Sequence, residues 1–274
     1  MLNVILNYHF IQNAIIASIL SSIVCGIIGT IIIEKKLILM GGGIAHTAYG
    51  GVGLAYLLNF NPLLGALSFS LIAALGIGKV RKTNVKHSEI IIALFWSLGM
   101  ALGILFISFM KGYPPDMSSY LFGNILSVTD SDLVQMAILT FLVLAILIVF
   151  FQDWKIYLFD EEMAKINGLN TTFLEYTLLI LIAFSVVILI RVSGIIMLIA
   201  LLCAPSATAS LVSEKLNSRM IISIMIGLFN SLVGLYISYT LDIASGASIV
   251  ILSTLVYAFV FAIRKTRLIR SFKN

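Results

Sequence analysis

Long apolar blocks, interrupted only where charges gather, set the pattern of this chain. No Asp, Glu, Lys or Arg occurs over residues 1–33, 37–78, 90–110 or 133–152. The same holds over 176–190, 192–213, 220–241 and 243–263. A helix needs about 20 apolar residues to cross the hydrocarbon core of a bilayer. The block 37–78 is long enough for two such helices, with Asn59, Asn61 and Pro62 as the break. The pattern therefore predicts eight or nine spans, at roughly 11–33, 37–58, 62–79, 89–110, 132–152, 172–190, 193–212, 219–241 and 247–263. The pair 172–190 and 193–212 is joined by only Arg191-Val192-Ser193-Gly194, and its second member contains Pro205. That pair reads as a broken or shortened element.

Composition sharpens the class. The chain of 274 residues is 61% hydrophobic and 11% charged, against about 45–50% and about 25% in soluble domains. So few charges do not cover the surface of a water-soluble globular enzyme, and so much apolar mass excludes disorder. The expected fold is an all-α polytopic transmembrane bundle. No stretch is long enough for a soluble domain, so residues 1–274 read as one integral membrane domain. The first apolar run lacks the basic start of a signal peptide and reads as a retained span. Cys25 and Cys203 both lie inside apolar runs and read as packing residues.

The basic residues orient the bundle. With the N-terminus outside, fifteen of the seventeen Lys and Arg fall on the inner side; only Lys111 and Arg191 fall outside. The expected topology is N-terminus outside and C-terminus inside. The net charge of +5 is thus an orientation signal, and no nucleic-acid partner is expected.

The chemistry is sparse. There is no GxxxxGK[ST] phosphate loop and no HExxH pair, so the chain is not expected to hydrolyse ATP or act as an enzyme. Acidic residues keep to span ends and loops; Glu175, the deepest, reads as interfacial. One ionisable residue lies well inside a span. His46, in MGGGIAHTAYGGVGLAY, shares a helical face with Gly42, Gly50 and Gly53. Two readings fit: a close-packing groove with a hydrogen-bonded histidine, or a substrate-facing helix whose imidazole meets a metal ion. The inner loop FDEEMAKINGLN predicts a short cytoplasmic helix, capped by Asp160 and stopped by Gly168. In the outer segment, Pro114 and Pro115 end the preceding helix. Residues 118–126 there are too short to cross, and Asp130 is expected to cap the next span.

Four stretches, in this order, resemble the membrane permease of zinc/manganese-type ABC importers. MGGGIAHTAYGGVGLAY is similar to the family's second-helix histidine motif, and SYLFGNILSVTDSDL to its LFGxIL segment. FDEEMAKINGLN looks like its coupling loop, E-x-A-x-x-x-G. RVSGIIMLIALLCAPSATASLV and NSLVGLYISYTLDIASGASIV resemble its C-terminal part. The resemblance covers about residues 10–263. It implies a permease in a prokaryotic plasma or inner membrane, paired with a second copy of itself as a homodimer and embedded in lipid. A separate cytoplasmic ABC ATPase would hold the ATP, and an extracytoplasmic metal-binding protein would deliver the ion. No stably bound cofactor is implied, only a transported divalent cation, Zn2+ or Mn2+. His46 would lie on the metal pathway, with Gly42, Thr47 and Gly50 lining it. Glu162, Ala164 and Gly168 would contact the ATPase, and Tyr120 and Phe122 would face the extracellular mouth. Family members often carry an aspartate at the position of Gly42. Imidazole without that carboxylate suits zinc better than manganese. The alternative, a secondary transporter or channel working alone, needs an ion-coupling residue in mid-membrane, which the charge map does not supply.

Overall fold

Inside hydrocarbon every backbone N–H and C=O must be satisfied within the protein, so charge-free apolar blocks of this length become helices. The computed structural model describes residues 8–83, 85–111 and 118–271, and among these the regular structure is entirely helical. Four long helices come first: α1 (His9–Glu34), α2 (Ile38–Leu57), α3 (Pro62–Thr83) and α4 (Val85–Ser108). The short α5 (Ser118–Phe122) and a 3-10 turn (Ile125–Ser127) lead into α6 (Asp130–Val149). Then come α7 (Phe151–Phe159), α8 (Glu161–Ile166), α9 (Thr171–Val212), α10 (Leu216–Leu241) and α11 (Ser245–Ser271).

Seven of these helices are long and apolar enough to cross a membrane. The helix α2 is not among them, because its glycines and His46 dilute its hydropathy. It is instead the most enclosed element, with 14 of its 20 residues buried. Glycine against backbone sets its position. A Cβ on Gly50 would lie 2.7 Å from the Gly99 carbonyl oxygen, and one on Gly53 2.7 Å from that of Gly103. These contacts run α2 alongside α4 in the same direction. On the opposite side Gly51 meets Gly65 of α3, backbone to backbone. Such close approach gives dispersion contact, which drives helix association in lipid where a hydrophobic gain is absent.

The 42-residue α9 is a hairpin, not one rod. Gly194 has φ 69° and ψ 165°, outside any helical region. Near its start, Glu175 pairs with Arg81 at the end of α3. At its finish, the Ser213 carbonyl accepts from Arg219, which also pairs with Glu34 at the end of α1. Both ends of α9 therefore lie at the same end of the bundle, and the chain reverses at Gly194. The expected connection at 191–194 shrinks to this residue. Counting α9 twice, nine helical segments run between the two ends of the bundle among the described residues, at the upper limit of the expected number.

Two local expectations change. The cap of α6 is Thr129, not Asp130: its hydroxyl accepts from the Asp132 amide, and Asp132 reaches back to the Thr129 amide in a capping box. Asp130 instead accepts from Asn13 of α1 at 2.9 Å. The span expected to end at 152 ends at Val149, and the separate helix α7 was not foreseen. The Pro114–Pro115 stop lies outside the described residues.

Candidate functional site

His46 sits near the middle of α2, half-buried where that helix reaches the chain's surface. Its ring stacks on Trp96 of α4, centroids 4.1 Å apart and planes 15° from parallel. Its Nδ1 is buried and has no hydrogen-bond partner among the described residues. A buried, unpaired imidazole nitrogen costs free energy. Thr47, beside it, is already satisfied: its hydroxyl bonds the carbonyls of Gly43 at 2.7 Å and Phe95 at 3.0 Å. Gly42 faces the Trp96 indole and Gly50 the Gly99 backbone. In this conformation both glycines make room for α4, so the packing groove is built and the imidazole stands at its margin. Among the described residues no group of three or more His, Cys, Asp or Glu is placed to hold a metal.

Ten residues along α2 from His46, about 15 Å, lies the end of the bundle that holds Tyr56 and Tyr120. A cavity of about 160 Å³ there is lined by Tyr56, Asn61, Tyr120 and Arg191, among others. The Tyr56 and Tyr120 hydroxyls are 3.3 Å apart. Burial, and then the bond to Tyr56, push the Tyr120 phenol well above its usual value, so it stays a neutral donor. Arg191 also reaches Asp132 at 3.3 Å. Phe122 projects outward, 57% exposed, while its backbone is gripped. A Cβ on Gly246 would lie 2.4 Å from the Phe122 carbonyl oxygen, and Gly123 packs directly on Ser193 and Gly194. The two motifs singled out in sequence, LFG and RVSG, thus meet at the hairpin of α9. Sequence alone leaves them separate, because contact between distant glycine backbones produces no periodic signal.

The opposite end carries α8. Asp160 caps it, accepting from the Glu162 and Met163 amides. Gly168 ends it with φ 77°, and the Leu169 amide returns to the Ala164 carbonyl. Of the three expected contact residues, Glu162 is exposed, Gly168 has open space at its Cα, and Ala164 is fully buried against its own chain. The apolar groups that do face outward are Phe159 at 90%, Ile166 at 85% and Met163 at 54% exposure. The sequence reading missed these three; the signal was an apolar triplet at one-turn spacings beside charged neighbours. Lys35 ties this helix down, 3.2 Å from Glu161 and 3.4 Å from the Tyr157 ring centre. Burial raises the Glu161 pKa, but the bonds from Lys165 and Lys35 outweigh it and hold the carboxyl below its usual value. Burial lowers the Lys35 pKa, opposed by Glu161. Glu175 is buried and paired with Arg81 at 3.0 Å.

Comparison with known proteins places this geometry. The model of the family "ABC 3 transport family" matches residues 7–264. An uncharacterised membrane protein of Synechocystis is 40% identical over 260 residues, covering 95% of this chain and 92% of that one. The manganese transport system membrane protein MntC of Listeria innocua is 37% identical, covering 94% and 92%. Among solved structures, PsaBC from Streptococcus pneumoniae in complex with Fab superposes with a TM-score of 0.85 at 33% identity, covering 95% and 94%. An inward-facing metal-chelate type ABC transporter shares the fold at TM-score 0.74 and 18% identity.

Proposed function

The chain belongs to the ABC 3 transport family, and from that premise we propose that it is the membrane permease through which an ABC importer moves a divalent metal into a bacterial cell. The observation that carries the proposal is the family match over residues 7–264, together with relatives of 34–37% identity named for manganese transport. As a permease subunit it is not itself an enzyme; ATP is bound and split on a separate chain. That ATPase would take the exposed face of α8, through Glu162, Met163 and Ile166, together with Phe159 at the end of α7. The ion would be handed over by an extracytoplasmic binding protein at the end where Tyr120 and Phe122 lie. It would pass His46 at the surface shared with a second copy of the permease.

Two observations pull the choice of metal apart. The relatives' names favour manganese, whereas an imidazole with glycine at position 42 favours zinc. A transport site need not hold its ion tightly, so the names weigh more. Manganese is the proposed cargo, with zinc as competitor. The test is uptake of radioactive manganese into proteoliposomes that contain the permease and its ATPase. Uptake that requires ATP, and that is lost in His46→Ala, is the expected result. Gradient-driven flux through the permease alone would overturn the reading in favour of a free-standing carrier.

A further inference from the structure

A helix that receives a partner can act on the membrane spans only through the contacts that tie it to them. Besides its packing on α7 and α9, α8 is tied by Lys35, which follows Glu34 at the turn between α1 and α2. The Lys35 ammonium meets Glu161, the first residue of α8, at 3.2 Å, and caps the Tyr157 ring at 3.4 Å. It is held from solvent, its side chain only 9% exposed. The carboxylate of Glu34 pairs with Arg219 in the first turn of α10, and Arg219 also donates to the Ser213 carbonyl at the close of α9. The turn itself is rigid. Lys36 takes φ 57°, and the Leu37 amide returns to the Ile32 carbonyl at 2.8 Å. Helix α2 starts at the next residue, Ile38. His46 stands eight residues farther on, about 12 Å along a stiff helix.

Lys165 also bonds Glu161, at 3.1 Å, but it belongs to α8 and transmits nothing to the spans. Lys35 is the side chain that joins α8 to the foot of the His46 helix. We propose that Lys35 is a positioning residue that carries movement of α8 into α2, so that docking and ATP-driven motion of the partner reset the surroundings of His46. This rests on the permease reading above. The Lys35 end of this pair suits that role: its side chain is 9% exposed while that of Glu161 is 40% exposed, so removing Glu161 strands a shielded charge.

The test uses the whole importer in proteoliposomes and reads metal imported per ATP hydrolysed. The variants are Lys35→Gln, Glu161→Gln and the exchange Lys35→Glu/Glu161→Lys, with co-purification of the ATPase and the thermal midpoint measured alongside. Both single variants are expected to assemble and hydrolyse ATP while the ratio falls roughly tenfold. The exchange is expected to recover part of it. An unchanged ratio in the single variants, an exchange no better than either, or single variants that fail to assemble would each overturn the relay. A wild-type chain that binds no ATPase would overturn the permease reading instead.

Discussion

The imidazole of His46 lies flat on the indole of Trp96, ring centres 4.1 Å apart, and that stack accounts for the glycine one helical turn before the histidine. A Cβ on Gly42 would come within 2.9 Å of Trp96 Cζ3. The indole fills the space where a carboxylate at position 42 would stand. Glycine at position 42 leaves room for the indole, whose face supports the imidazole.

Adding the carboxylate back should fail unless the indole is trimmed. Gly42→Asp overpacks a rigid ring and is expected to cost about 1–3 kcal/mol, read as a fall in thermal midpoint in detergent. In Gly42→Asp/Trp96→Ala the clash is gone, so the midpoint should recover relative to Gly42→Asp. The restored oxygen donor should also shift competitive uptake toward Mn2+ over Zn2+. A single variant as stable as wild type would show that Trp96 moves freely and that the stack does not set position 42.

Trp96 should matter to transport through orientation rather than ligation. Ring stacking contributes about 0.5–1.5 kcal/mol, so Trp96→Leu is expected to lower uptake by a few-fold. His46→Ala, which removes the nitrogen itself, is expected to lower it by more than tenfold. Equal losses in the two variants would put the indole, not the imidazole, at the centre of the pathway.

Most of the architecture was legible because bilayer thickness and charge placement act on single segments. Spans α1 to α4, the Gly168 stop and the Asp160 cap all follow from local pattern. The missing part is what distant segments do to each other. Nothing in the apolar block 90–110 marks Trp96 as the residue that will cover His46. The glycines of α2 announced close approach, but not that α4 would be the neighbour filling the groove. Ala164, which the resemblance placed at the ATPase contact, is buried against its own chain, while Phe159, Met163 and Ile166 lie outside. The α9 reversal was visible as a short connection, yet its dependence on Gly123 needs three dimensions.

Acid should loosen the α8 anchor in a defined range. Glu161 titrates below its usual value of 4.5 in the folded chain. Its stabilising contribution is therefore full above pH 4.5 and is lost as pH falls through the lower folded value. The difference in thermal midpoint between wild type and Glu161→Gln should be flat from neutrality down to about that point and shrink below it. A difference that shrinks near neutrality would point to another titrating group.

Two left-handed glycines should differ sharply in how well they tolerate alanine. Gly168, φ 77°, has nothing within 4 Å of where an added Cβ would sit. Gly168→Ala therefore bears only the backbone cost of about 1–2 kcal/mol and should insert and purify normally. Gly168→Val adds β-branching in the same conformation. It is expected to disturb the end of α8 enough to lower metal imported per ATP while the bundle stays folded. Gly194, φ 69°, is different: its added carbon would lie 2.3 Å from the Gly123 amide nitrogen and 2.6 Å from the Phe122 carbonyl carbon. Backbone does not yield as a flexible side chain does, and the strain of the dihedral adds to the clash. Gly194→Ala should cost more than about 3 kcal/mol and leave little monodisperse protein on size-exclusion chromatography. Similar yields for Gly168→Ala and Gly194→Ala would refute the claim that the α9 reversal depends on backbone contact with the segment after α5.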